Sequence, residues 1–231
     1  MVGNSLNQAW LVGLVWAVLG APVWLLLTRW VPFWLERSLG CLPSPVPVAL
    51  CKTERRLDLA LILAWCLISL CAAHSWGLSK AGVAAFILCG GLLSLAHIDL
   101  QTGLLPDILT LSWMWLGMLF QLSGGWISLA DSVAGAALGY CVFWVIFSLY
   151  KWTTGREGMG YGDFKLSAAL GAWLGVQAIP SLMLYASLAG GLTGLFLQAY
   201  CRLPVRMAIP FGPFLAVAGI LILFCDYAPF R

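Results

Sequence analysis

From Leu166 to Cys201 the chain carries no charged side chain over 36 consecutive residues. No soluble architecture tolerates such a run, and one membrane crossing needs only about 20 residues. A break is therefore required, and Pro180-Ser181 is its expected place, because an interior proline interrupts a helix. The whole chain reads the same way: 231 residues, 62% hydrophobic, 9% charged, mean hydropathy +0.95. A closed β-barrel needs short alternating strands, whereas the apolar runs here are continuous. The fold class is all-α, a polytopic membrane protein forming one membrane domain over residues 1–231.

The remaining runs fix the other predicted helices. Ala9–Thr28 makes the first, with no charge for 20 residues. No charged segment precedes it and no convincing cleavage site follows it, so it is expected to be retained rather than removed as a signal peptide. Leu59–Trp76 and Ala81–Ile98 make the second and third, with Gly90-Gly91 as a close-packing or bending point. Asp99–Asp107 is a short polar turn. Ile108–Leu122, Ile127–Tyr150, the two halves of the long uncharged run and Met207–Cys225 bring the predicted helices to eight. Residues 29–58, with Pro32, Pro43, Pro45 and Pro47, form a short loop with little secondary structure expected.

Charge placement orients this set. Ten of the twelve Lys and Arg residues fall in the loops after the odd-numbered helices; only Lys80 and Arg231 fall on the other side. Basic loops stay in the cytoplasm, which predicts both termini outside. The stretches Asp99–Asp107 and Lys151–Lys165 then share the cytoplasmic face.

Eight cysteines are present, mostly within apolar runs, where cysteine acts as a small hydrophobe. No Cys-x-x-Cys occurs, and Cys41 and Cys51 stand apart, so neither a structural zinc site nor a disulfide framework is expected.

Two acidic stretches carry the chemistry. Gly158–Lys165 reads Gly-Met-Gly-Tyr-Gly-Asp-Phe-Lys, with a Gly-x-Gly-Asp ending at Asp163. His97-Ile-Asp99-Leu-Gln-Thr-Gly-Leu-Leu-Pro106-Asp107 is the other. Ionisable groups at membrane depth are expensive and mark function or a partner. Two close carboxylates cannot both ionise easily, so they share a proton. One can then deprotonate water while the other polarises a carbonyl. Gly160 and Gly162 are expected to leave room for an extended substrate backbone. Asp107, after Pro106, reads best as a helix N-cap, and Asp131 as another. Glu157 and Lys165 either tune the site or face water. His97 reads as interfacial packing and His74 as structural. Trp113 and Trp115 read as lipid or core contacts. The Pro210–Pro213 turn reads as structural, with a place beside the substrate path as the alternative.

These two stretches and the late Ile209-Pro210-Phe211-Gly212-Pro213-Phe214, in this order, resemble the type IV prepilin peptidase family, the Gly-x-Gly-Asp aspartic proteases of membranes. The resemblance covers roughly residues 85–225. It implies an eight-helix bundle in the bacterial inner membrane that cuts the leader from type IV prepilins or type II secretion pseudopilins at the cytoplasmic face, with Asp99 and Asp163 as the catalytic pair. Asp107, Glu157, Lys165, Gly160 and Gly162 stand as supporting or substrate-binding residues. S-adenosylmethionine enters only if methylation of the new N-terminus is retained. The 29–58 loop takes the place of a zinc-binding domain of longer members, so no zinc is expected. Partners are the pilin-like substrate and the lipid bilayer, with no nucleic acid. The rival readings are an ion-coupled transporter using the two acids as carriers and a non-catalytic assembly subunit of a pilus or secretion system.

Overall fold

The computed structural model describes Gly13, Val15, Val18 and residues 54–156, 158–201 and 209–228. The predicted first helix, the loop 29–58 with Cys41 and Cys51, Glu157 and the basic turn 202–206 lie largely or wholly outside the described residues. Among the described residues there are seven α-helices and no strand. They are α1 (Glu54–Trp76), α2 (Lys80–Thr102), α3 (Asp107–Leu122), α4 (Leu129–Thr154), α5 (Tyr161–Leu174), α6 (Ala178–Cys201) and α7 (Gly212–Asp226). Three of the described helices, α2, α4 and most of α6, are long and apolar enough to cross a membrane.

The short helix α5 is the hub. Its 14 residues rise only about 21 Å, less than the roughly 30 Å hydrocarbon core. All of its residues from Leu166 to Leu174 are buried, against α3, α4 and α7. A helix ending inside a bundle leaves carbonyls without partners, which is costly away from water. Three other segments satisfy them. Ser132 Oγ of α4 donates to the Ala172 carbonyl at 2.6 Å, Gln121 Nε2 of α3 to Trp173 at 2.9 Å, and the Tyr227 hydroxyl after α7 to Leu174 at 2.5 Å. Gly175, at φ +79° and ψ 175°, ends the helix in backbone angles that favour glycine.

Small residues let α4 and α5 approach. Gly135-x-x-x-Gly139 on α4 faces Ser167-x-x-x-Gly171 on α5. A methyl at Gly135 would collide with the Gly171 carbonyl oxygen, one at Gly171 with the Gly135 carbonyl oxygen, and one at Gly139 would sit 2.7 Å from the Ser167 oxygen. Residues 132 and 139 meet 172 and 167, so the two helices run antiparallel. Gly90 and Gly91 do serve close packing, giving space to the Trp65 and Trp113 rings.

Three boundaries differ from the sequence expectation. The helix carrying Asp99 runs on through Thr102, because polar residues end an apolar run without ending a helix. The break comes at Gly103, at φ +64°. The long uncharged run divides at Gly175–Gln177, not at Pro180. Pro180 sits in the first turn of α6, where a backbone N–H would have no intrahelical acceptor anyway. The last helix starts at Gly212, with Pro213 as its second residue; Ile209 and Pro210 precede it as non-helical chain.

Candidate active site

Three helix ends meet at one end of the bundle. Asp99 lies in the last turn of α2, where the Gly103 N–H closes on its carbonyl at 2.8 Å. Asp163 is the third residue of α5, whose N-cap is Gly160. Both side chains are buried, at 4% and 6% exposure, which for a carboxylate demands partners. They find them in backbone amides. Asp163 accepts from the Gly160 N–H, the reciprocal bond an acidic third residue makes to its N-cap. Asp99 Oδ2 accepts from the Gly212 N–H at 2.9 Å, across 113 residues of chain. The two carboxylates lie close enough for the charge of one to act on the other. Two neighbouring carboxylates disfavour being ionised together.

An aromatic wall stands beside the acids. Phe147 packs on Tyr161 and Phe164 with ring centres 5.1 and 5.4 Å apart, and Phe143 reaches Phe211 at 6.1 Å. These contacts join α4 to the start of α5 and to the turn before α7. They pack the core around the start of α5, with Phe143, Phe147 and Phe164 buried.

The supporting residues fall out differently. Gly160 adopts ordinary extended angles (φ −76°, ψ 145°), so its lack of a side chain matters for space and not for backbone freedom. A methyl there would lie 3.7 Å from Asp163 Oδ2, with no closer neighbour. The space at Gly162 is already filled: a methyl would sit 2.7 Å from Leu105 Cβ, so this glycine admits the Leu104-Leu105 turn after α2. Asp107 is not the side-chain cap expected of it. It is the first residue of α3 after the N-cap Pro106, and its carboxylate pairs with Lys165 Nζ at 2.5 Å. That ion pair links the segment following Asp99 to the segment following Asp163. Glu157 lies outside the described residues.

His97 is buried, and a 2.9 Å hydrogen bond joins it to Gln101 one turn on. Asp131 shares its cap with Ser128, whose hydroxyl accepts from the Asp131 N–H and donates to its carboxylate. Trp113 packs against the core while Trp115 is 60% exposed. Sequence reasoning missed Gly212 as a site residue. Its signal was present: an amide just ahead of Pro213 is left over at a helix start.

The fold and site thus define a helical membrane protein with a paired-aspartate centre built from three helix ends. The model of the type IV leader peptidase family matches residues 86–195. A prepilin leader peptidase/N-methyltransferase of Aeromonas hydrophila is 48% identical over 156 residues, 68% of this chain and 52% of that protein. Its namesake in Aeromonas salmonicida is 42% identical over 198 residues, 85% of this chain and 64% of the relative. The one of Pectobacterium carotovorum is 43% identical over 187 residues, 81% and 64%. The chain belongs to the type IV prepilin peptidase family. The matched segments span between about half and two thirds of these relatives' own length. No solved structure matches the chain.

Proposed function

We propose that this chain is a membrane aspartic endopeptidase that removes the leader from type IV prepilins or type II secretion pseudopilins at the cytoplasmic boundary of the bacterial inner membrane. The observation that carries the reading is the meeting of two buried aspartates, from α2 and α5, in a chain of this family. In the reaction, one carboxylate takes a proton from water as that water attacks the scissile carbonyl. The other, protonated, donates to the carbonyl oxygen, giving a tetrahedral gem-diol. On its collapse the first gives the water-derived proton to the leaving amine and the second takes its own proton back from the gem-diol hydroxyl, so the pair ends as it began. A transporter carrying ions on the two acids would want them near the bilayer midplane. The charge pattern, which puts both acidic stretches on the side of the basic loops, speaks for the peptidase instead.

The test is co-expression with a candidate prepilin and mass measurement of the product. Loss of the leader supports the proposal; an intact precursor beside abundant, inserted enzyme overturns it. The relatives are also named N-methyltransferases. Among the described residues the polar groups at the site are committed to one another: the Gly160 and Gly212 amides to the acids, Lys165 to Asp107. Methylation of the new N-terminus, where retained, would draw on S-adenosylmethionine. For residues 29–58 we propose a cytoplasmic loop without stoichiometric zinc, motivated by the absence of Cys-x-x-Cys from the sequence. About one zinc per chain on metal analysis, lost on replacing Cys41 and Cys51, would refute this.

The proposed topology has eight crossings, with Met1 and Arg231 on the outer side. Its support is the Lys and Arg distribution. Reporter fusions after Gly124, Gly158 and Arg231 are expected to read outside, inside and outside. A cytoplasmic reporter at Arg231 would remove the eight-crossing count.

A further inference from the structure

The first turn of α7 has one amide to spare, and it is given to Asp99. A helix start leaves its first amides without intrahelical acceptors. Here Pro213 has no N–H, and the amides of Phe214 and Leu215 turn back to the Phe211 carbonyl at 3.1 and 3.3 Å. That leaves Gly212, buried, with its N–H on Asp99 Oδ2 at 2.9 Å. The N-cap residue Phe211 offers no side-chain bond of its own. The aspartate is thus the acceptor that the helix start lacks.

Gly212 is helical and has no positive φ, so backbone conformation does not call for glycine. Helix propensity would in fact favour alanine by about 1 kcal/mol. What excludes a side chain is Asp99 itself: a methyl on Gly212 would lie 2.6 Å from Oδ2, 3.1 Å from Cγ and 3.3 Å from Cβ. The amide bond and the close approach are two separate observations on the same pair of residues. Gly212 also lies beyond the segment that the family model matches, 86–195.

We propose that Gly212 is a positioning residue for the peptidase reaction, an inference that rests on the peptidase reading above. Its N–H fixes Oδ2 of Asp99, so the carboxylate is held in one orientation and Oδ1 is presented to water or to the proton shared with Asp163. The helix α7 carries this amide, and α7 packs antiparallel on α2, with Gly212 at Asp99 and Gly219 at Leu92. The orientation of the acid is therefore set by the packing of two helices and not by a flexible loop. The competing explanation is that Asp99 only caps α7, with no bearing on catalysis.

The experiment separates the two. The full chain is made with glycolic acid in place of Gly212, which turns the amide into an ester and deletes the N–H without adding bulk. Gly212→Ala, which adds the methyl, is made in parallel. Both are assayed on a prepilin for kcat, KM and thermal midpoint. A hydrogen bond to a charged group corresponds to a loss of about ten- to hundred-fold. The ester is expected to lose that much in kcat, with KM within about twofold, since remote substrate contacts are untouched. Gly212→Ala is expected to lose more. Gly191→Ala, with open space around it, is the control for insertion and assay and is expected to retain full activity. An ester variant with unchanged kcat overturns the inference, whether or not its thermal midpoint falls, because a mere cap affects stability alone. Asp99→Asn run alongside distinguishes the levels. If that variant cleaves, the peptidase assignment of Asp99 fails; if it is inactive while the ester is fully active, only the role of Gly212 fails.

Discussion

Replacing either Asp99 or Asp163 with Asn is expected to abolish leader cleavage, a loss of about 10³-fold or more, while the chain still folds and inserts. Asn matches Asp in size and keeps a carbonyl oxygen. The Asp99→Asn variant can therefore still accept from the Gly212 amide, and Asp163→Asn from the Gly160 amide. What the amide side chain lacks is the ability to hold or release the shared proton. The two acids act as one unit, so the double variant should be no worse than either single one. Glu should fail at both positions. One extra methylene moves the carboxylate by about 1 Å, and such a displacement can cost about a hundredfold. In place of Asp99 it would also break the register with Gly212. Asp107→Asn should be mild, because the acid it replaces is 62% exposed and an ion pair open to water on one side contributes about 1 kcal/mol. The check is a prepilin cleavage assay with protein level measured for each variant. Strong cleavage by Asp163→Asn would remove this pair from the mechanism. Total loss in Asp107→Asn with Asp99→Asn active would move the chemistry to the other acid of that stretch.

Much of this site was legible in the residues. The uncharged runs demanded a helical membrane fold, and Asp99 and Asp163 stood out because acids at membrane depth need a reason. What stayed hidden depends on three-dimensional neighbours. Composition cannot tell a polar last turn from a loop, which is why Asp99 was expected in a turn and lies in a helix. Asp107 after a proline looks like a cap until Lys165 is brought across from α5. Gly162 looks like room for a substrate until Leu105 fills it. Gly212 is the sharpest case: the spare amide ahead of Pro213 is legible locally, but its acceptor lies 113 residues away. The shortness of α5 was hidden too. In an unbroken apolar run the end of a helix is marked only by Gly175, and its carbonyls are satisfied by Ser132, Gln121 and Tyr227 from three separate segments.

The crossing of α4 and α5 is where a single methyl should do the most damage to the fold. Gly171→Ala exchanges a poor helix former for the best one, which alone would stabilise by up to about 1 kcal/mol. The added carbon, however, falls on the carbonyl oxygen of Gly135. That oxygen is backbone and cannot rotate away, so the helices must separate. Separation loosens the Ser132 bond to Ala172 and the contact of Gly139 with the Ser167 carbonyl, both on the same seam. Forced overpacking of this kind costs about 1–3 kcal/mol, which outweighs the propensity gain. Net of the propensity gain, that corresponds for a chain of this length to a thermal midpoint lower by up to about 8 °C in detergent. Gly171→Val should be worse, because its branched side chain needs more of the same space. Since α5 also carries Asp163, cleavage should fall with the shift even where folded protein persists. The measurement is the thermal midpoint of purified Gly171→Ala beside Gly191→Ala, which meets no neighbour. An unchanged midpoint for Gly171→Ala would mean that the two helices are not in backbone contact at Gly135, and the close seam holding α5 in place would have to be abandoned.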